Sequence, residues 1–120
     1  MADKKTQTFN DGVVNIYTVD DIATPGNKPK DGLKLPPKYE ALHYEERIVG
    51  MGRFWTAKQD HVQIDRLIRV PRLENISSQD VAIPVDGKQY EIKQIQYVPD
   101  VEPPSMDLSL ERVEAEYEFS

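Results

Sequence analysis

The chain has 120 residues, 38% hydrophobic and 30% charged, with a formal net charge of −6 and no cysteine. That length suits a single domain with one modest core, and the lack of cysteine excludes a disulfide framework and a thiolate metal site. An acidic balance with scattered basic residues argues against a dedicated duplex-DNA binder, whose affinity comes from neutralising phosphates.

Residues 1–9 read as an N-terminal tail. Asn10-Asp11-Gly12 is a turn signal, and Val13 to Val19, rich in β-branched and aromatic residues, reads as a strand. Asp20 to Pro37 has almost no periodic apolar pattern. Within it, Thr24-Pro25-Gly26-Asn27 suits a tight turn, Pro25 presetting one central φ and Gly26 allowing the positive φ of the next. Pro29, Pro36 and Pro37 remove backbone donors, so the whole of 20–37 is expected to be a long extended loop or arm.

Tyr39 to Met51 alternates imperfectly and reads mostly as a strand, with Leu42, Tyr44 and Ile48 opposite His43, Glu45 and Arg47. Gly50 and Gly52 suggest a bend or bulge before Arg53-Phe54-Trp55, and Phe54 to His61 a short helical turn or irregular link. Gln63 to Val70 is a strand stopped by Pro71. Leu73 to Asp80 is turn-like, with room for one helical turn over Ser77 to Asp80. Val81-Ala82-Ile83 then leads through Pro84 and Val85 to Asp86-Gly87, the strongest hairpin signal in the chain, and Lys88 to Val98 returns. Tyr90 and Ile92 share a face that Ile95 and Tyr97 leave by parity, so a bulge near Lys93-Gln94 is expected. After a stiff loop at Pro99, Pro103 and Pro104, a last strand from Met106 to Phe119 calls for a second bulge, at Glu111-Arg112. The expectation is an all-β fold: a single β domain over 1–120, a small bent β-barrel or sandwich with long loops and at most one or two short helical turns.

Reactive chemistry finds little purchase. His61 lies near Asp60 and Asp65, but zinc sites use three or four ligands at recognisable spacing and no His-x-x-x-His or Cys pair exists, so no metal is expected. Ser77, Ser78 and Ser105 lie in polar or proline-rich stretches without a nucleophile motif. Glu45 and Glu46 point to opposite faces of a strand, and Glu114 and Glu116 alternate with Val113, Ala115 and Tyr117 as a half-exposed strand would. Asp11-Gly12, Asp31-Gly32 and Asp86-Gly87 are read as turns. No catalytic residue and no cofactor are expected. Phe54 and Trp55, adjacent on an extended segment, face opposite ways, so one fills the core and the other suits either a bend or a subunit interface. No apolar run approaches membrane-spanning length, and the Met1 to Thr6 start lacks a signal peptide's apolar stretch, so a cytoplasmic setting without membrane contact is expected.

Four stretches in order, Phe9 to Val19, Tyr44 to Trp55, Val62 to Pro71 and Asp86 to Lys93, together resemble the head–tail joining (head-completion) proteins of tailed bacteriophages. The resemblance covers roughly residues 9 to 119. It implies a virion protein of the neck region, assembled in the host bacterial cytoplasm, forming a homo-oligomeric ring of six or twelve copies. Its implied partners are portal and adaptor proteins on the head side and tail terminator or tail proteins on the other, with DNA passing through the channel without sequence-specific binding. On this reading 20–37 is a partner-contacting arm with Thr24, Pro25, Gly26, Asn27, Lys28, Pro29 and Lys30 at its tip. Two alternatives stand beside it: a tail terminator or tail-completion ring, and a small barrel binding single-stranded nucleic acid through stacked aromatics such as Tyr90, Tyr97 and Trp55.

Overall fold

The computed structural model describes residues 5–48 and 63–119. Phe54 and Trp55, the bend at Gly50 and Gly52, and His61 lie outside the described residues. The described residues form eleven strands: β1 (Lys5–Thr6), β2 (Gly12–Tyr17), β3 (Val19–Asp21), β4 (Asp31–Leu33), β5 (Tyr39–Arg47), β6 (Arg66–Pro71), β7 (Val81–Ile83), β8 (Tyr90–Val98), β9 (Val101–Glu102), β10 (Ser105–Arg112) and β11 (Glu118–Phe119). Among the described residues there is no helix, and the segment Ser77 to Asp80 is a single turn closed by the Asp80 N–H on the Ser77 carbonyl. The chain is all-β, as expected.

Six strands close an antiparallel barrel in the order β10-β6-β5-β2-β7-β8. Closure follows from period-two patterning, because alternate side chains of each strand face inward and a closed ladder leaves no edge. Val14 and Ile16, Tyr44, Ile68 and Val70, Ala82, Tyr90 and Ile92, and Met106, Leu108 and Leu110 form one buried interior. β10 is covered on both faces: Ser105, Asp107 and Ser109 on its outer side are buried too.

Two bulges bend the barrel. Gln94 lies opposite Ser109 and Ile92 opposite Leu110, which leaves Lys93 as the extra residue and turns Ile95 back onto the core, where the parity switch demanded it. The second bulge has no counterpart in the sequence pattern. Val14 faces Leu42 but Ile16 faces Tyr39, so β5 carries one extra residue, and Ala41 sits there at φ 53° with its N–H donating to Asn15 Oδ1 at 2.7 Å.

The last strand departs from expectation. β10 ends at Arg112 because its partner β8 begins opposite, at Tyr90. Glu114, Ala115 and Glu116 then run exposed outside any strand, and β11 pairs in parallel with β4. No bulge forms at Glu111-Arg112, and Glu114 and Glu116 are not the outer face of a strand. Of the three Asp-Gly pairs only Asp86-Gly87 closes a turn, with the Gly87 N–H on the Pro84 carbonyl at 3.0 Å; Gly12 opens β2 and Asp31-Gly32 begins β4. Lys5 to Gln7, within the stretch expected as a tail, are tied down, since β1 pairs in parallel with β9 and the following Gln7 is buried.

Candidate functional site

The segment expected as a loop is a β-hairpin standing off the barrel. β2 leaves the barrel ladder at Thr18, and β3 and β4 pair with Val19 opposite Leu33 and Asp21 opposite Asp31, two short strands whose acidic and glycine residues hide any apolar alternation. β11 joins the other side of β4, giving a three-stranded sheet in the order β11-β4-β3. Its root is apolar: Leu33 packs with Tyr17 and Val81, flanked by Val19, Ile83 and Tyr117, and Phe119 meets the Tyr17 ring edge-on at 5.3 Å. Ile22 lies across the opposite face at Gly32. A Cβ there would collide with the Ile22 side chain and sit 2.7 Å from the Glu118 carbonyl, so only glycine fits.

The tip is ordered by local hydrogen bonds rather than by burial. Asn27 N–H donates to the Thr24 carbonyl at 3.0 Å, and Gly26 takes φ +91°, which closes the turn read from Thr24-Pro25-Gly26-Asn27. Below it the Ile22 N–H donates to the Lys30 carbonyl at 2.9 Å. Asp21 Oδ1 accepts from the Lys30 N–H at 3.0 Å and the Ala23 N–H at 2.9 Å. Those two donors, Lys30 first, hold the Asp21 carboxyl below the usual carboxylate range. Thr24 to Lys30 are all exposed, and Lys30 pairs with Glu118 at 2.6 Å. The seven tip residues are thus brought together in one preformed loop.

A groove opens where the sheet meets the barrel, with a volume of about 390 Å³ and a lining of Val19, Asp31, Ser78, Gln79, Val81, Glu91 and Tyr117. The sequence does not announce it, because its lining comes from separated stretches of the chain. Gln89 fixes Tyr117, one of the lining residues: its buried amide accepts from the Tyr117 N–H at 2.7 Å and donates to the Tyr117 carbonyl at 3.0 Å, standing in for a neighbouring strand. Burial raises the Tyr117 hydroxyl above its ordinary value, and the negative charges of Glu91 and Asp31 raise it further.

Two clusters elsewhere pair their charged groups internally. At one end of the barrel the Arg66 guanidinium grips Glu46 with two bonds of 2.7 and 3.0 Å, reaches Asp86 at 3.2 Å and lies against the Tyr44 and Tyr90 rings. The bond to Glu46 first of all holds it more basic than an ordinary arginine. Burial pushes the Asp86 carboxyl up, but the Lys88 N–H, the Tyr90 hydroxyl and Arg66 outweigh it and keep it low. On the outer wall Arg69 donates twice to Asp107, at 2.7 and 3.2 Å, and once to Gln7, whose amide in turn meets Glu45. Glu45 and Glu46 therefore serve opposite faces, as strand geometry requires.

Among the described residues no three His, Cys, Asp or Glu side chains group as a metal site, and His43 is exposed. Ser77 Oγ accepts from the Gln79 N–H and Ser105 Oγ donates to the Pro103 carbonyl, so both tie their own turns. Tyr90 lines the barrel interior and is not open for stacking, while Arg72 lies over the Tyr97 ring at 4.5 Å. No helix among the described residues is long and apolar enough to cross a membrane. A comparison with protein-family models finds no match, and a comparison with curated proteins finds none either.

Proposed function

We propose that this chain is a structural subunit of a phage neck, a head-completion or stopper protein that assembles as a ring, closes the capsid exit after DNA packaging and offers the tail its docking surface. The observation that carries this reading is the preformed hairpin projecting from a closed barrel. A closed barrel has no free ladder for self-association, so contacts with neighbours fall to elements standing off it. An exposed hairpin already fixed by its turn, by Asp21 and by the β11 strand costs little ordering entropy when it meets a partner. The ordered resemblance over residues 9 to 119 supplies the biological setting, and the net charge of −6 suits a conduit that DNA leaves quickly. The protein acts through shape and neighbours, without a cofactor.

The test is electron microscopy of the purified protein alone, with a portal–adaptor complex and with tail tubes. Rings on the portal–adaptor complex are the expected result, and a variant with Ala23 to Pro29 replaced by Asn-Gly should fold but fail to complete the ring or retain DNA. Rings on tail tubes alone would move the assignment to a tail terminator. Full assembly and DNA retention by the shortened variant would remove the arm from the account. A salt-sensitive complex with a single-stranded oligonucleotide, and no ring on either template, would replace the reading altogether.

A further inference from the structure

The tip of the hairpin and the groove differ in charge. Between Asp21 and Asp31 the sequence Ile22 to Lys30 holds two lysines and no acid. Lys30 is bridged to Glu118, whereas Lys28 meets no carboxylate within ion-pair distance among the described residues. Alongside the sheet, the groove carries Asp31 and Glu91 with Val19 and Val81 as its apolar residues and Ser78, Gln79 and Tyr117 as neutral hydrogen-bonding groups. Glu91 shares its charge with Lys93 at 2.7 Å, which leaves Asp31 as the groove carboxylate without an ion pair among the described residues.

A molecule's own tip does not fill its own groove. Lys28 is only three residues from Asp31, yet it lies within ion-pair distance of neither Asp31 nor Glu91, and β3 and β4 are locked in register below it. We propose that the groove seats the arm tip of a second copy of this chain, with Lys28 entering beside Asp31 and Glu91. Each copy then offers one tip and one groove, the arrangement of a heterologous contact that repeats until a ring closes. The shape of the tip fits such a seat. It is narrow, its turn is fixed by Pro25 and Gly26, and its exposed backbone meets amide and hydroxyl groups at Gln79 and Ser78. This contact deepens the ring-subunit reading above and rests on it.

Because the chain has no cysteine, introduced thiols report without background. Asn27→Cys and Gln79→Cys proteins, both substituted at exposed turn positions, are mixed and oxidised, once at high concentration and once on the portal template. The expected product is a 27–79 disulfide between copies, in clear excess over 27–27, over 79–79, and over the product with Arg72→Cys. Arg72 follows β6, which lies across the barrel from β7. Adding Lys28→Glu to the Asn27→Cys chain should cut the yield about tenfold, and Glu91→Lys on the acceptor should recover much of it. Equal yields from positions 72 and 79, or no effect of Lys28→Glu, would overturn the contact. Rings seen by microscopy without the 27–79 product would discard this contact and keep the ring subunit. Absence of any ring on any template would discard the subunit reading itself.

Discussion

Leu108 and Ile92 have no solvent exposure and touch residues from across the barrel, whereas every residue from Thr24 to Asp31 is open to water. The barrel is ordered by apolar burial, the tip by a turn, a carboxylate and the β11 strand beside it. Burial sums over many neighbours and is hard to remove without unfolding the domain. Local hydrogen bonds hold a shape but contribute only modestly to global stability. The contrast separates the part of the molecule that stores stability from the part free to carry recognition.

The largest effect that separates the two regions is a core truncation. Leu108→Ala should cost about 2–5 kcal/mol in urea unfolding, while Pro25→Ala at the tip should cost no more than about 1 kcal/mol. A Leu108→Ala loss no larger than that of Pro25→Ala would erase the distinction. Next comes the outer wall, where Arg69 and Asp107 are largely buried and hydrogen-bonded to each other. Asp107→Ala strands the Arg69 charge and should cost about 3 kcal/mol, whereas Asp107→Leu combined with Arg69→Met should recover most of that loss. A double variant no better than the single one would show that the pair itself, and not the cost of an orphaned charge, holds β6 to β10.

How far these regions could be read in the sequence follows from the same contrast. The barrel announces itself through inward residues at period two, and even the bulge at Lys93 is legible, because Ile92 and Ile95 cannot share a face without it. The bulge at Ala41 is not, since its signal is a left-handed backbone that alanine does not advertise and an Asn15 side chain from another strand satisfies. The turn at Pro25-Gly26 is legible from local chemistry alone. β3, β4 and β11 are not, because strands of two or three residues with Asp, Gly and Glu in them carry no periodicity. The groove is invisible for a further reason: Asp31, Glu91 and Tyr117 meet only after β11 has folded back, and Gln89, whose residue type carries no such signal, is what holds Tyr117 in place.

Within the arm, Gly32→Ala sharpens the comparison at its root. The added methyl runs into the Ile22 side chain and the Glu118 carbonyl, so β11 should detach or Ile22 should swing out. The expected cost is about 1–3 kcal/mol, with amide shifts in heteronuclear NMR confined to β3, β4 and β11 while barrel resonances stay in place. Shifts spread through β6 and β10 would mean that the arm and barrel are one cooperative unit.

The smallest effect is electrostatic and confined to the tip. The Lys30 and Ala23 N–H groups lower the Asp21 carboxyl, so its ionised form is favoured by the folded arm over the unfolded chain. A group with a depressed folded pKa contributes its stabilisation above the unfolded value, about 3.9 for aspartate, and loses it as pH falls through the lower folded value. An NMR titration should therefore show the Lys30 and Ala23 amide resonances moving together with a midpoint below the ordinary aspartate range, and Asp21→Ala should abolish that step. The barrel core should not respond, because Leu108 and Ile92 sit in a cluster of buried apolar and tyrosine side chains. A midpoint at or above the ordinary aspartate value would mean that in solution Asp21 does not hold the tip, and the preformed loop would then owe its shape to Pro25 and Gly26 alone.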